Sequence, residues 1–256
     1  MITDPWFYFL AIPALLMTSI SKGGFGAGLG VLAVPLMALR LPVPQVTAIM
    51  LPIICLMDVM SVWAYRGQWD KTILRITLPP AVIGIVLGAL SFGAVPDVWL
   101  RLAIGVIAIG FTLQRGLASS RRRAPAPAGD YKPVTGTFWA AVSGFTSFLA
   151  NAGGPPFSMY LLALRLEKTI FVGTTAVFFT AVNFAKLLPF ALLGLFNRTN
   201  LLTALVLSPI ALIGIELGLR LHRRLNPTLF YRVSCAFVLI LGAKFVYGSL
   251  AAILCR

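Results

Sequence analysis

Apolar residues in this chain are gathered in long blocks instead of alternating with polar ones, and the blocks fall at 6–39, 45–65, 72–92, 99–117, 135–164, 169–196, 201–221 and 229–254. A helix needs about 20 apolar residues to cross the roughly 30 Å hydrocarbon layer of a bilayer, so most of these blocks predict single spanning helices. The first and fifth, at 34 and 30 residues, are long for one crossing and short for two. Both are rich in glycine, which predicts an interrupted segment that enters the membrane and returns to the same side as two half-helices. The only long polar stretch, GLASSRRRAPAPAGDYKP at 116–133, has the Arg, Pro, Ala and Gly content of a linker.

That linker separates two halves that look like copies. At an offset of 125, ALRL at 38–41 falls on ALRL at 163–166, Gly28 on Gly153 and Asp58 on Asn183. After a few inserted residues PAVIGIVLG at 80–88 falls on IALIGIELG at 210–218, and PDVWLR at 96–101 on PTLFYR at 227–232. One such match between apolar sequences means little; the ordered series predicts an internal duplication, an arrangement that transporters use to hold substrate between repeats. The expected fold class is therefore an all-α polytopic membrane protein with repeat one at 6–117, a linker at 118–133 and repeat two at 134–254. Each half would have one glycine-interrupted segment and three further spanning helices.

Composition agrees with a lipid environment: 59% of residues are hydrophobic and only 11% charged, against roughly 25% charged in ordinary soluble domains. The net charge of +14 would point to nucleic acid in a soluble protein, but here the basic residues sit mostly in short loops and report topology. With interrupted first segments, Arg66, Lys71, Arg75, Arg115, Arg121, Arg122, Arg123, Lys132, Arg165, Lys168, Arg220, Arg223, Arg224 and Arg232 share one side, and only Arg40, Arg101, Arg198 and Arg256 lie on the other. The excess of Lys and Arg on cytoplasmic loops then predicts inverted halves, a cytoplasmic linker and both termini outside. Eight plain spans would scatter the same charges over both sides. The N-terminal apolar run, preceded by Asp4 and by no Lys or Arg, reads as retained structure and not as a signal peptide. Cys55, Cys235 and Cys255 are spaced for neither a disulfide framework nor a metal site.

Candidate chemistry gathers at the two glycine motifs and at two polar stripes. SISKGGFGAGLGVLAVP at 19–35 packs Gly23, Gly24, Gly26, Gly28 and Gly30 behind Lys22. Unwound backbone at membrane depth is tolerated only inside protein or around a cavity, although close packing of small residues would account for the glycines equally well. SGFTSFLANAGGPPFSMYLLALRL at 143–166 predicts a helix break at 151–154 and a restart at Pro155 and Pro156, leaving a helix N-terminus whose dipole and amides attract anions; a simple kink is the alternative. Cys55, Asp58 and Ser61 recur every third residue, and Thr180, Asn183 and Lys186 hold the same places in repeat two, so each trio shares one helix face. Charges at the centre of a spanning helix are expensive, so Asp58 and Lys186 should be paired or face water. Lys22 and Lys186 are candidates to hold an anion, and Asp58 to pair with a lysine or carry a coupling proton; a purely structural Asp58–Lys186 ion pair is the competing reading. Glu216 and Arg220 have the spacing of a helix surface pair, Lys244 that of a snorkelling side chain, and His222, the only histidine, sits among basic residues.

The pairing of GGFGAGLGVLAVP with NAGGPPFSMYLLAL across a basic linker resembles the TauE/SafE family, the sulfite exporter or toluene-sulfonate uptake permeases, over essentially the whole chain. The resemblance implies transport of small sulfur-containing or organic anions across the bacterial inner membrane by a multi-pass protein. Substrate-binding residues expected on this reading are Lys22, Gly23, Gly24, Gly26, Asn151, Gly153, Gly154, Asn183 and Lys186, with Asp58 as coupling residue or ion-pair partner. No cofactor, metal or nucleic acid is expected; the expected partners are the anion, a coupling proton or ion and membrane lipid, with homo-oligomerisation left open. The chain has no GxxxxGK[ST] phosphate loop and no Gly-x-Ser-x-Gly turn, so a secondary transporter is favoured over an ATP-driven pump or a hydrolase. A membrane-embedded enzyme or an assembly factor remains the alternative class.

Overall fold

The computed structural model describes residues 1–24, 33–92, 94, 96–120, 132–164, 166–222, 239–240, 243–244 and 246–254. The motif residues Gly26, Gly28 and Gly30, the arginines at 121–123, Arg165, the PTLFYR stretch, Cys235 and Cys255 lie outside them. Among the described residues there is helix and no strand: α1 Pro5–Gly24, α2 Ala33–Met37, α3 Val43–Ala64, α4 Lys71–Ser91, α5 Asp97–Ser120, α6 Pro133–Ala150, α7 Gly154–Ala163, α8 Lys168–Leu192 and α9 Arg198–His222. Five of them, α1, α3, α4, α8 and α9, are long and apolar enough to cross a membrane.

Local chemistry sets the helix ends. Asp70 caps α4 by accepting from the amides of Thr72 and Ile73 at 2.8 and 3.0 Å, and Asn197 accepts from the Asn200 amide at 2.8 Å at the start of α9. Asn151 closes α6 in the left-handed conformation, φ 50°, a position that asparagine tolerates better than most side chains. The chain resumes as helix at Gly154, with Pro155 and Pro156 in the first turn, where a missing amide hydrogen costs nothing. At the end of the short α2, the Arg101 guanidinium from α5 donates to the carbonyls of Ala38 at 2.6 Å and Leu41 at 3.3 Å. Those carbonyls have no following helical turn to bond them, so a cation from elsewhere satisfies them.

Two helix seams dominate the packing, α1 against α9 and α6 against α4, while α3 and α8 lie together and pack chiefly on α9 and on α4 respectively. Lipid is as apolar as leucine, so helices inside a membrane gain little by hiding greasy side chains and associate where small residues allow close backbone approach. The seams follow this rule. A Cβ at Gly84 would run into the Ala141 carbonyl on α6, and one at Gly144 into the Ala81 carbonyl on α4. Gly214 abuts Ser19 and Gly218 abuts Ile20, both on α1. The glycines of PAVIGIVLG and IALIGIELG thus do similar work, Gly84 receiving α6 and Gly214 and Gly218 receiving α1. Outward faces carry the large apolar residues: Ile83, Val86, Leu87 and Leu90 on α4 and Leu205, Val206 and Ile213 on α9 are all exposed.

Candidate functional site

Where α1, α3, α6 and α8 meet, buried charges form one cluster. Lys22, in the last turn of α1, places its Nζ 2.6 Å from Asp58 Oδ1 on α3. The other oxygen, Oδ2, accepts from Asn183 Nδ2 on α8 at 2.7 Å. One turn along α8, Lys186 Nζ donates to the Ser147 carbonyl and hydroxyl at 3.0 Å each and to Asn151 Oδ1 at 2.7 Å. Asp58 and Lys186 are completely buried and Lys22 nearly so, with its side chain 12% exposed. The partner of Asp58 is Lys22, and Lys186 is held by oxygens of the α6 end; the direct Asp58–Lys186 ion pair that the sequence left open does not form.

The two lysines hold related places. Lys22 and Ser147 lie 125 residues apart in sequence, as do Ser61 and Lys186, so that spacing pairs a lysine with a serine twice, in opposite order. Asp58 and Asn183 are also 125 residues apart, and they touch one another.

Against this cluster lies a cavity of about 40 Å³ lined by Thr18, Lys22, Ile54, Ser147, Asn151, Gly154, Phe179 and Asn183. At roughly 10–15 Å³ per probe sphere that is space for about three waters. Two of its lining groups carry unused hydrogen-bonding capacity: Thr18 Oγ1 and Asn151 Nδ2 are buried with no hydrogen-bond partner among the described residues. Ser61 Oγ is unpartnered as well. Such groups cost free energy unless something polar meets them, and the amide nitrogen of an asparagine can only donate. The α7 N-terminus adds the positive end of a helix dipole, but with Pro155 and Pro156 next in line, Gly154 is the only one of its first three residues with an amide hydrogen. The expected row of free amides is reduced to one.

Of the residues singled out in the sequence, Lys22, Asn151, Gly154 and Asn183 line the cavity, and Asp58 and Lys186 sit behind it, bonded to those that do. Gly23 and Gly24 face α9, against Ile215 and Gly218, and Gly153 lies on Ser143 and Ser147; all three serve close approach. Gly26 lies outside the described residues. Three contributors were missed by sequence reasoning: Thr18, Ser147, and Tyr65, whose buried hydroxyl donates to the Gly23 carbonyl at 2.7 Å and fixes the end of α1. Ser147 alone had a signal, its place at the 125-residue offset from Lys22.

The family model described as Sulfite exporter TauE/SafE matches residues 11–245, nearly the whole chain and both lysine-bearing regions. The chain belongs to the TauE/SafE sulfite exporter family. This is a family of membrane transporters, in keeping with the five spanning-length apolar helices and the lipid-like outer faces of α4 and α9. Comparison with curated proteins and with solved structures gave no match.

Proposed function

We propose that this TauE/SafE protein is a secondary transporter that moves a small anion, such as sulfite, a small sulfonate or a related organic anion, across the bacterial inner membrane through the cavity beside Lys22. The observation that carries the reading is the buried cluster of two lysines and one aspartate against a cavity with unpaired polar groups. Buried charge at membrane depth is retained for function more often than for stability. The excess is positive, and the donors at hand are an ammonium, an amide and the α7 dipole, all of which favour an anion. The small volume favours a compact one.

The halves are read as inverted repeats, each first segment re-entrant, with the basic linker cytoplasmic and both termini outside. Reciprocal packing of α1 on α9 and α6 on α4 supports a two-fold relation, as does the Asp58–Asn183 contact between equivalent positions, which belongs on such an axis. Transport would then proceed by rocking of one part against the other around this fixed site.

The test is flux of sulfite and small sulfonates in vesicles containing the purified chain, normalised to inserted protein. Methionine keeps much of the lysine volume and removes the charge, so a Lys22→Met, Lys186→Met double variant should insert and lose flux. Undiminished flux in that variant rules out the lysine-centred site, and a well-folded wild-type chain that moves no anion favours an assembly role.

A further inference from the structure

We propose that Asp58 sets the valence of the transported anion, making the site selective for a monoanion over a dianion of the same shape; this rests on the transport reading above. The argument is a charge count around the cavity. Both oxygens of Asp58 face groups with only hydrogens to give, Lys22 Nζ at 2.6 Å and Asn183 Nδ2 at 2.7 Å, the environment of an ionised carboxylate. Lys186 Nζ faces three oxygens, one for each hydrogen of an ammonium. Lys22 is the only ionisable residue among the described ones that line the cavity. With all three groups ionised, as these partners suit them, the site's own side chains carry two positive charges and one negative, a net charge of +1.

Burying net charge in a medium of low dielectric constant costs free energy that grows with the square of the charge, so occupants that neutralise the cluster are favoured. A monoanion brings the site to zero. A dianion overshoots to a net negative charge and has to share its second charge with Asp58. Without Asp58 the preference inverts, since two lysines alone match a dianion. The scale is large: one unit charge about 5 Å away, at an effective dielectric constant of about 20, changes binding by on the order of a hundredfold per unit of ligand charge.

Asn183 supplies the complementary variant, because it occupies the equivalent position and touches Asp58. Replacing Asp58→Asn raises the site by one charge, Asn183→Asp lowers it by one, and the double exchange Asp58→Asn, Asn183→Asp restores the count with the carboxylate on α8. The probes are radiolabelled methanesulfonate and sulfate, two tetrahedral anions of similar size whose charges differ by one near neutral pH. Initial uptake of each into vesicles at constant ionic strength gives the selectivity. The expected wild-type preference for methanesulfonate is about tenfold or more. Asp58→Asn should shift the ratio toward sulfate by at least about tenfold, Asn183→Asp should lose most methanesulfonate uptake, and the double variant should recover the wild-type ratio.

A wild-type chain that moves sulfite but shows no preference between the probes, or an Asp58→Asn variant that inserts with its ratio unchanged, overturns the assignment and leaves transport standing. Should Asp58→Asn not insert, the double variant decides: a ratio inverted toward sulfate despite the restored charge sinks the proposal. A wild-type chain that moves no anion, sulfite included, defeats the transport reading beneath it.

Discussion

Adding one methyl group at Gly84 and one at Gly214 should give unequal costs, although both glycines lie in closely packed helix seams. At Gly84 the new Cβ would stand 2.8 Å from the Phe145 amide nitrogen and overlap the Ala141 carbonyl, both backbone atoms of α6. Ordinary contact begins near 3.4 Å, so the α4–α6 seam must open by more than half an ångström along its closest stretch. Overpacking of this kind costs about 1–3 kcal/mol. At Gly214 the Cβ would overlap the Ser19 hydroxyl, while the nearest backbone atom, the Leu16 carbonyl, is already at an ordinary 3.4 Å. Ser19 Oγ can turn aside at the expense of its bonds to the Leu15 and Leu16 carbonyls, about 1 kcal/mol. The helix-propensity gain of Gly→Ala, about 1 kcal/mol, is common to both and cancels in the difference. Gly84→Ala should therefore be less stable than Gly214→Ala by about 1 kcal/mol, the middle of a range of roughly 0–2 kcal/mol. Unfolding of the purified variants in mixed micelles by increasing SDS measures it, with Ser19→Ala, Gly214→Ala as a control that removes the obstructing oxygen. Equal losses, or a larger loss at Gly214, would show that the seams do not differ in the way their contacts require.

Three further outcomes are expected. Tyr65→Phe removes the buried hydroxyl bonded to the Gly23 carbonyl, so stability should fall by about 1 kcal/mol and flux should fall with it, because Lys22 loses the anchor of its helix end; a loss of stability with full flux would separate Tyr65 from the site. Arg101→Met leaves the Ala38 and Leu41 carbonyls without their cation and should lower stability by about 1.5–3 kcal/mol, read by the same micelle titration. Single cysteines placed at the C-terminus and in the 121–131 linker of a cysteine-free chain should label from outside and from the cytoplasm respectively, and a cytoplasmic C-terminus would refute the inverted arrangement.

Much of the candidate site could be read from the sequence because membrane helices make polar residues conspicuous. Asp58, Asn183 and Lys186 are visible against an apolar background, and their three-residue spacing and common offset place them on matching faces. Which lysine Asp58 would choose could not be read. That choice depends on where the last turn of α1 ends, and the end is fixed by Tyr65 and by glycines lying on α9, contacts between segments remote in sequence. Thr18 and Ser147 escaped notice for the opposite reason: small hydroxyl residues are common in spanning helices, where they bond their own backbone, and only the 125-residue offset from Lys22 marks Ser147 out. The helix blocks were legible to within a few residues where capping residues mark them, as at Asp70. Arg101 lies in a stretch that the sequence pairs with 227–232, but its task, bonding carbonyls about sixty residues earlier, is a property of the packed chain.

The interruption between α6 and α7 bears on how the protein is made. At about 1.5 Å per residue the ten residues of α7 rise about 15 Å, half of the hydrocarbon thickness, too short for the translocon to release them into lipid as a span of their own. The backbone at 151–153 that joins α7 to α6 leaves polar groups that lipid cannot satisfy, and two of their bonds come from Ser143 and Thr146, which donate to the carbonyls of Gly153 and Ala152. The bond from Lys186 to Asn151 Oδ1 across this break can form only once α8 has been made. A chain arrested before α8, which lacks Lys186, should therefore be cut at the α6–α7 break more readily than the full chain, a comparison that limited proteolysis makes.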